Sequence, residues 1–335
     1  MSIFFPLEIE ELTTETLSYS LVSGWSKSFP NLDSENTLVV VFAAHEYHEY
    51  TQPLLDLRQA FPTSKIIGGS SLAVIHEGKL LDGAISVGVI RFKNTQLRFS
   101  SAPVKSLSES LEAGQQISKQ LAEDHLKGIL IFSDGVTTEA TELVRGLQTM
   151  LPPDIPIMGG LVSGQSLDHT WLICDGELTR FYACAVGFIG HTVELTRATG
   201  GGWRLIGEEC KATRTCGRTL FELDGEPANV VYQRQVGAEM GFGLREASTR
   251  YPLTIRLPSL EMQIVRDINF VNEEAGILEL AGDIPEGVTV QVMTTTDDEI
   301  LDGVDEAIER MRSQTILPPK MHWQFVSVVQ ADEQF

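Results

Sequence analysis

Only four of the 335 residues are cysteine, at positions 174, 184, 210 and 216, and no two of them form a Cys-x-x-Cys pair. A chain this long can build its core without disulfide staples, so the thiols are expected to be reduced. Long hydrophobic runs are also missing. No window approaches the roughly 18 uninterrupted apolar residues that span a bilayer, and a membrane is not an expected partner. Positive charge is scarce, with 25 Lys and Arg against 46 Asp and Glu, a formal charge of −21. Such a surface repels phosphate backbones, and the basic residues are scattered, so nucleic acid is not an expected partner either. The first residues turn acidic without a basic stretch or a small-residue cleavage site, which makes cytoplasmic residence the expectation.

Catalytic signatures are absent in the same way. There is no Gly-x-x-x-x-Gly-Lys-Ser/Thr loop and no Gly-x-Gly-x-x-Gly turn to cradle a phosphate, and the three glycines at 200–202 open no predicted helix. Gly-x-Ser-x-Gly is missing, so no serine nucleophile is visible. His45 and His48 are three apart, not four as in His-Glu-x-x-His, and no Cys-x-x-Cys-His attaches haem covalently. Cys210 and Cys216 would share one face of a regular strand, where cysteine usually serves as a small packing residue. The chain is not expected to be an enzyme.

What is present is organisation. A length of 335 residues exceeds one comfortable core and favours two domains. Residues 38–102 and 129–199 read as two copies of one unit. Each opens on a buried-type strand, "LVVVFAA" from Leu38 and "ILIFSDG" from Ile129, followed by a polar loop and a helix. In the second copy Ala140, Leu143, Val144 and Leu147 have helical spacing. Next come "KIIGGSS" and "PIMGGLVSG", in which Gly68-Gly69 matches Gly159-Gly160, and then a hairpin-like close, "AISVGVI" against "ACAVGFI". An amphipathic helix within 106–127 links the copies.

After Thr199 the pattern changes. A strand is predicted over 212–223 with a turn at Asp224-Gly225, then a helix after Pro227 to about Val236. Strands follow over 253–257, 261–270, 276–280 and 288–294, then a helix opened by a Thr296 to Glu299 capping box, and a strand over 323–329. The fold class is therefore α/β: mixed sheets with flanking helices, a duplicated β-α-β-hairpin unit in the N-terminal half and a mostly antiparallel C-terminal domain. The domains are placed at 1–203 and 204–335.

The segments Ile66 to Ser71, Ile155 to Gly164, Trp203 to Gly207 and above all "TRTCGRTLFELDGEPANVVY" (Thr213 to Tyr232) resemble the FIST family. The resemblance implies a FIST N-terminal and a FIST C-terminal domain acting as a small-ligand sensor in signal transduction, with an amino acid or similar organic molecule as ligand. One branch of the family senses nitric oxide through haem, which makes haem a possible cofactor. Family members usually continue beyond the last apolar strand, so a shortened C-terminal domain is expected. With no kinase, cyclase or receiver segment present, output would pass to a separate signalling protein.

The candidate ligand-binding residues are Gly68, Gly69, Ser70, Ser71, Gly159, Gly160 and Ser163, with Arg204 and Arg214 as a carboxylate fork. The glycine pairs fit two explanations equally: close packing of one backbone on another, or the border of a cleft whose hydroxyls and amides face a ligand. Arg214 fits a structural ion pair as well. His45, His76, His169 and His191 are the histidines to consider as axial haem ligands, each also readable as an ordinary strand-end residue.

Overall fold

Runs such as Val39-Val40-Val41 are apolar at every position, which suits a strand covered on both faces and not an alternating half-exposed one. The first half of the chain is built on them. The structure is a computed structural model describing residues 11–164, 170–198, 200–237, 250–256 and 263–314. Contacts divide the chain into two units between Arg197 and Ala198.

The first unit begins with β1 (Leu12–Ser20), β2 (Gly24–Trp25), β3 (Thr37–Ala44), α1 (Gln52–Ala60), β4 (Lys65–Ser71), β5 (Val74–His76), β6 (Lys79–Leu81), β7 (Ala84–Phe92) and β8 (Gln96–Pro103). Helix α2 (Ser110–Leu121) then leads to β9 (Leu126–Ser133), α3 (Ala140–Leu147), β10 (Ile157–Leu161), β11 (Leu172–Cys174), β12 (Glu177–Thr179) and β13 (Tyr182–Ile189). One sheet has the order β12-β11-β4-β3-β7-β1-β2 and the other β10-β9-β13-β8. In both, the strand before the helix pairs in parallel with the strand after it and antiparallel with the closing strand: β4-β3-β7 in one, β10-β9-β13 in the other.

Alternation then sets the layers. Val39, Val41, Ile85 and Val87 face α1, and Ile129, Ile131, Ala183 and Ala185 face α2 and α3. The intervening residues of each strand turn toward the other sheet, where the rings of Phe42 and Phe132 meet at 5.4 Å and those of Phe92 and Phe188 at 5.6 Å. The order is helix, sheet, sheet, helix.

The two halves differ at their hairpins. Both use a two-residue turn with both φ angles positive, Glu77-Gly78 and Asp175-Gly176, the chemistry that matches strand twist. Hairpin β5–β6 stands as its own two-stranded ribbon, whereas β11–β12 crosses to the first sheet and pairs β11 with β4. On α3 the buried face is Leu143, Gly146 and Leu147, while Ala140 and Val144 are exposed, contrary to the face expected from spacing. The reason is Gly146: a Cβ there would lie 2.2 Å from the Leu111 carbonyl and 2.9 Å from Gly114 Cα, so α2 and α3 cross through two glycines and rotate α3 toward that contact. Strands β1 and β2 precede the first expected unit, and β8, which follows β7 in the chain, joins the second sheet beside β13.

The second unit holds β14 (Arg204–Cys216), β15 (Thr219–Leu223), β16 (Glu226–Pro227), α4 (Ala228–Val236), β17 (Leu253–Arg256), β18 (Gln263–Arg266), β19 (Ile268–Asn272), β20 (Ile277–Leu280), β21 (Thr289–Thr294) and α5 (Asp297–Gln314). Its antiparallel sheet runs β18-β17-β21-β14-β15-β20-β19, with β16 on β15. The single strand expected over 212–223 is instead a hairpin, because Gly217 at φ +56° turns the chain between β14 and β15. Register shifts along β14 bend it across the sheet. They also separate the two cysteines that equal spacing put on one face: Cys210 is buried and Cys216 exposed. The strand expected over 261–270 breaks at Asp267, where the chain leaves its pairing with β17 and begins pairing with β20.

Helix α4 buries Ala228, Val231, Tyr232 and Val236 against this sheet. Before α5 the capping box forms in both directions: the Thr296 N–H donates to the Glu299 carboxylate at 2.8 Å and the Glu299 N–H to the Thr296 hydroxyl at 3.3 Å. The three glycines at 200–202 meet this helix. A Cβ on Gly202, itself at φ +60°, would fall 1.7 Å from the Glu299 carbonyl, and one on Gly200 2.0 Å from that of Gly303. The strand expected over 323–329 lies outside the described residues.

Candidate functional site

Gly68 sits in the middle of β4, opposite Val41, at φ +148°, and Gly159 sits opposite Ile131 at φ +133°. A Cβ at either would lie under 2 Å from the facing carbonyl, 1.8 Å from Val41 O and 1.7 Å from Ile131 O. Backbone approach alone accounts for both residues. Their neighbours diverge: a Cβ on Gly69 would meet the Trp171 carbonyl and the Val162 side chain at 2.5 Å, whereas one on Gly160 meets nothing within 4 Å.

The serines are drawn into the same joint. Ser70 is buried; its hydroxyl accepts the Trp171 N–H at 3.0 Å, its N–H donates to the Trp171 carbonyl at 2.9 Å, and its carbonyl accepts the Ser163 N–H at 3.1 Å. Ser71 donates its hydroxyl to the Ala73 carbonyl at 2.6 Å. Thus Gly69, Ser70 and Ser163 are brought together, with Trp171 between the strands, its indole N–H donating to the His45 carbonyl at 2.9 Å. Asp134, fully buried, ties the matching end of β9. One carboxylate oxygen accepts the Val136 and Thr137 N–H groups at 2.9 and 3.1 Å, and the other accepts the Thr170 hydroxyl at 3.3 Å and the Phe181 N–H at 3.4 Å. Such a satisfied carboxylate fixes loops.

Arg204 and Arg214 belong to the second unit. Arg204 pairs with Glu299 at 3.0 Å. Arg214 pairs with Glu222 at 3.4 Å and lies 4.8 Å over the Phe221 ring.

The histidines are dispersed. His45 and His48 lie on one short 3₁₀ turn, His45 with its Nδ1 3.2 Å from the Glu46 carboxylate and His48 with its Nδ1 2.7 Å from the His45 carbonyl. His76 lies 3.4 Å from the Ser86 hydroxyl, and the His191 ring lies with its centroid 3.9 Å from that of His125, the two planes tilted at 47°. His169 lies outside the described residues. Among the described residues no three of His, Cys, Asp and Glu are grouped to hold a metal ion.

Sequence reasoning missed a cavity of about 190 Å³ in the first unit, between α1 and the β11–β12 hairpin. Leu57, Ile66 and Ile173 form its buried floor, Leu54, Leu55 and Leu178 its sides, and Thr51, Arg58, Gly176 and Glu177 its edge. The Arg58 guanidinium and the Glu177 carboxylate form an ion pair across it, and Lys65 stands 3.9 Å from Asp175 beside it. Burial pushes the Asp175 carboxyl above its ordinary value against the opposing pull of Lys65 and Arg58. The Gly176 N–H donates to the Ile66 carbonyl at 3.0 Å and so holds the hairpin turn on β4. No histidine, cysteine, methionine or tyrosine lines this cavity, so its residues do not fit an axial haem site. The readable signal was the Asp175-Gly176 dipeptide, which marks the hairpin but not where it docks.

The FIST N domain matches residues 37–226 and the FIST C domain residues 228–327. The chain belongs to the FIST family. FIST domains are associated with the sensing of small ligands in signal transduction. No curated protein matches the chain. The boundary between the two FIST matches falls at Glu226 to Ala228, where β16 meets α4, inside the second unit. The FIST N match therefore takes in β14 and β15 as well as the four-layered first unit from β3 onward. Among the described residues no helix is long and apolar enough to cross a membrane.

Proposed function

We propose that this FIST protein is a non-catalytic sensor that binds an amino acid or similar small organic molecule and passes its occupancy to a separate signalling protein. The observation that carries this reading is the FIST match over both domains. The chemistry of the described residues supports it. The buried carboxylate of Asp134 is saturated by hydrogen bonds, and the buried thiols are pushed away from the reactive thiolate. Cys184 is raised well above the ordinary thiol value by its hydrogen bond to Cys174 and by burial, and Cys210 is pushed to about 11, first by burial. A nucleophile needs the opposite shift.

The test is a thermal-shift screen of the full chain over amino acids, organic acids and amines. A ligand that binds only the native state raises the melting temperature in proportion to the logarithm of its concentration, by about 2.7 kcal/mol of stability at a hundredfold excess over Kd. A concentration-dependent rise is the expected result. A flat response across the whole set would refute the reading. A sensor must also prefer one conformation when occupied, so hydrogen exchange with and without the stabilising compound should differ away from the contact residues.

A further inference from the structure

We propose that the cavity between α1 and the β11–β12 hairpin is a ligand site, and that its occupant is a zwitterionic α-amino acid with an aliphatic or aromatic side chain. The inference rests on the small-ligand reading above and assigns it a place and a chemical class.

Size is the first argument. An apolar cavity of about 150 Å³ lined by Leu, Ile and Phe takes up benzene. At about 190 Å³, the space over Leu57, Ile66 and Ile173 holds a side chain such as that of leucine, methionine or phenylalanine. Leu54 and Leu178 flank it, so the part of the ligand that enters must be apolar.

Charge is the second argument. The edge carries one cation and one anion, Arg58 and Glu177, bound to each other. An α-amino acid carries the complementary pair on one carbon. Its carboxylate can take the Arg58 fork and its ammonium the Glu177 carboxylate, an exchange of one ion pair for two that leaves the net charge of the site unchanged. A simple carboxylic acid would use Arg58 but set its charge against Glu177. An amine would do the reverse against Arg58. A neutral apolar molecule would leave the ion pair unused.

The walls are the third. Gly176, at φ +83°, leaves room for the Arg58 stem, whose Cγ and Cδ pass 3.6 Å from where a Cβ would stand. One wall is a helix of the first half and the other a hairpin of the second half seated on β4 through Leu172 and Gly69, Ile173 and Gly68. An occupant therefore clamps the crossing hairpin against α1, a contact that can report binding to the rest of the unit.

The experiment is calorimetric titration of the full chain with L-leucine, L-methionine and L-phenylalanine, and with isovalerate and isopentylamine, which each lack one charge. It is repeated on Arg58→Gln and Glu177→Gln. Both side chains are about half exposed or more, so the variants fold as the parent does, which their melting temperatures verify. The expected result is saturable binding of at least one amino acid, weakened at least tenfold in each variant and at least tenfold for each single-charge compound. An amino acid that binds both variants as tightly as the parent would place the site elsewhere while leaving the sensor reading intact. Binding of isovalerate or isopentylamine in preference to every amino acid would overturn the class. If no compound of the broad thermal-shift screen binds, the sensor reading and this inference fall together.

Discussion

Alanine at four glycines separates backbone packing from ligand binding. At Gly68 the new Cβ would stand 1.8 Å from the Val41 carbonyl at a backbone φ of +148°, and at Gly159 1.7 Å from that of Ile131 at φ +133°. Neither facing atom can swing aside, since both belong to central strands. Overpacking costs typically about 1–3 kcal/mol and an unfavourable φ about 1–3 more, so each variant should lose roughly 2–6 kcal/mol. Against a domain stability of about 5–15 kcal/mol that is a large fraction. With a urea dependence near 2 kcal/mol per molar, the midpoint falls by about 1–3 M. Gly69→Ala meets backbone and Val162 at 2.5 Å and should lose about 1–3 kcal/mol. Gly160→Ala meets nothing within 4 Å and should be neutral or gain about 0.5 kcal/mol. Amide hydrogen exchange over β3 and β9 in a urea series reads the first unit directly. A Gly68→Ala variant within 0.5 kcal/mol of the parent, or a Gly160→Ala variant that loses more than 1, would refute the packing account. If Gly160→Ala keeps its stability and loses ligand, the cleft explanation of the second pair is the correct one.

Three further outcomes follow from other contacts. Asp33 accepts the N–H and hydroxyl of both Thr63 and Ser64 at 2.7–3.0 Å. Burial raises this carboxyl, but those four bonds outweigh it and hold the pKa below the ordinary 3.8. The native state thus binds fewer protons, so the stabilisation is complete above the unfolded value and is lost as pH falls through it toward the folded value; Asp33→Ala should flatten that acid limb in a melting-temperature series and cost about 2 kcal/mol at pH 7. Thr296→Ala removes one direction of the capping box and should destabilise the second unit by about 1 kcal/mol in chemical denaturation, with Thr296→Ser restoring most of it. In timed labelling with a maleimide, Cys216 should react first, and Cys184 and Cys210 only on unfolding, since both are buried and their thiols raised.

Much of the fold was legible because its signals are local. The valine run of β3, the Gly-Gly strands, the Asp224-Gly225 turn and the Thr296 to Glu299 box each act within a few residues. The bend of β14 was not, because Gly217 and the register shifts depend on which strands lie alongside. The rotation of α3 needed the knowledge that Gly146 meets Gly114 on another helix. For the site, the glycines and serines were found as a group, since close approach demands a missing Cβ. Their partners were hidden. Trp171 reaches Ser70 across about a hundred positions of sequence, and Arg58 reaches Glu177 across a similar span. Side chains that meet only after the hairpin has crossed leave no periodicity and no motif.

That crossing also dictates how the chain can be cut and how it can emerge from a ribosome. Strand β4 has no outer neighbour until residues 172–174 arrive, so a fragment ending before β9 would carry an open edge of Ile66, Ile67 and two glycines, with Lys65 at its start as the one charge to discourage pairing with another molecule. Residues 38–102 by themselves leave that edge of β4 unpaired, and synthesis must pass the hairpin before β4 gains its outer neighbour.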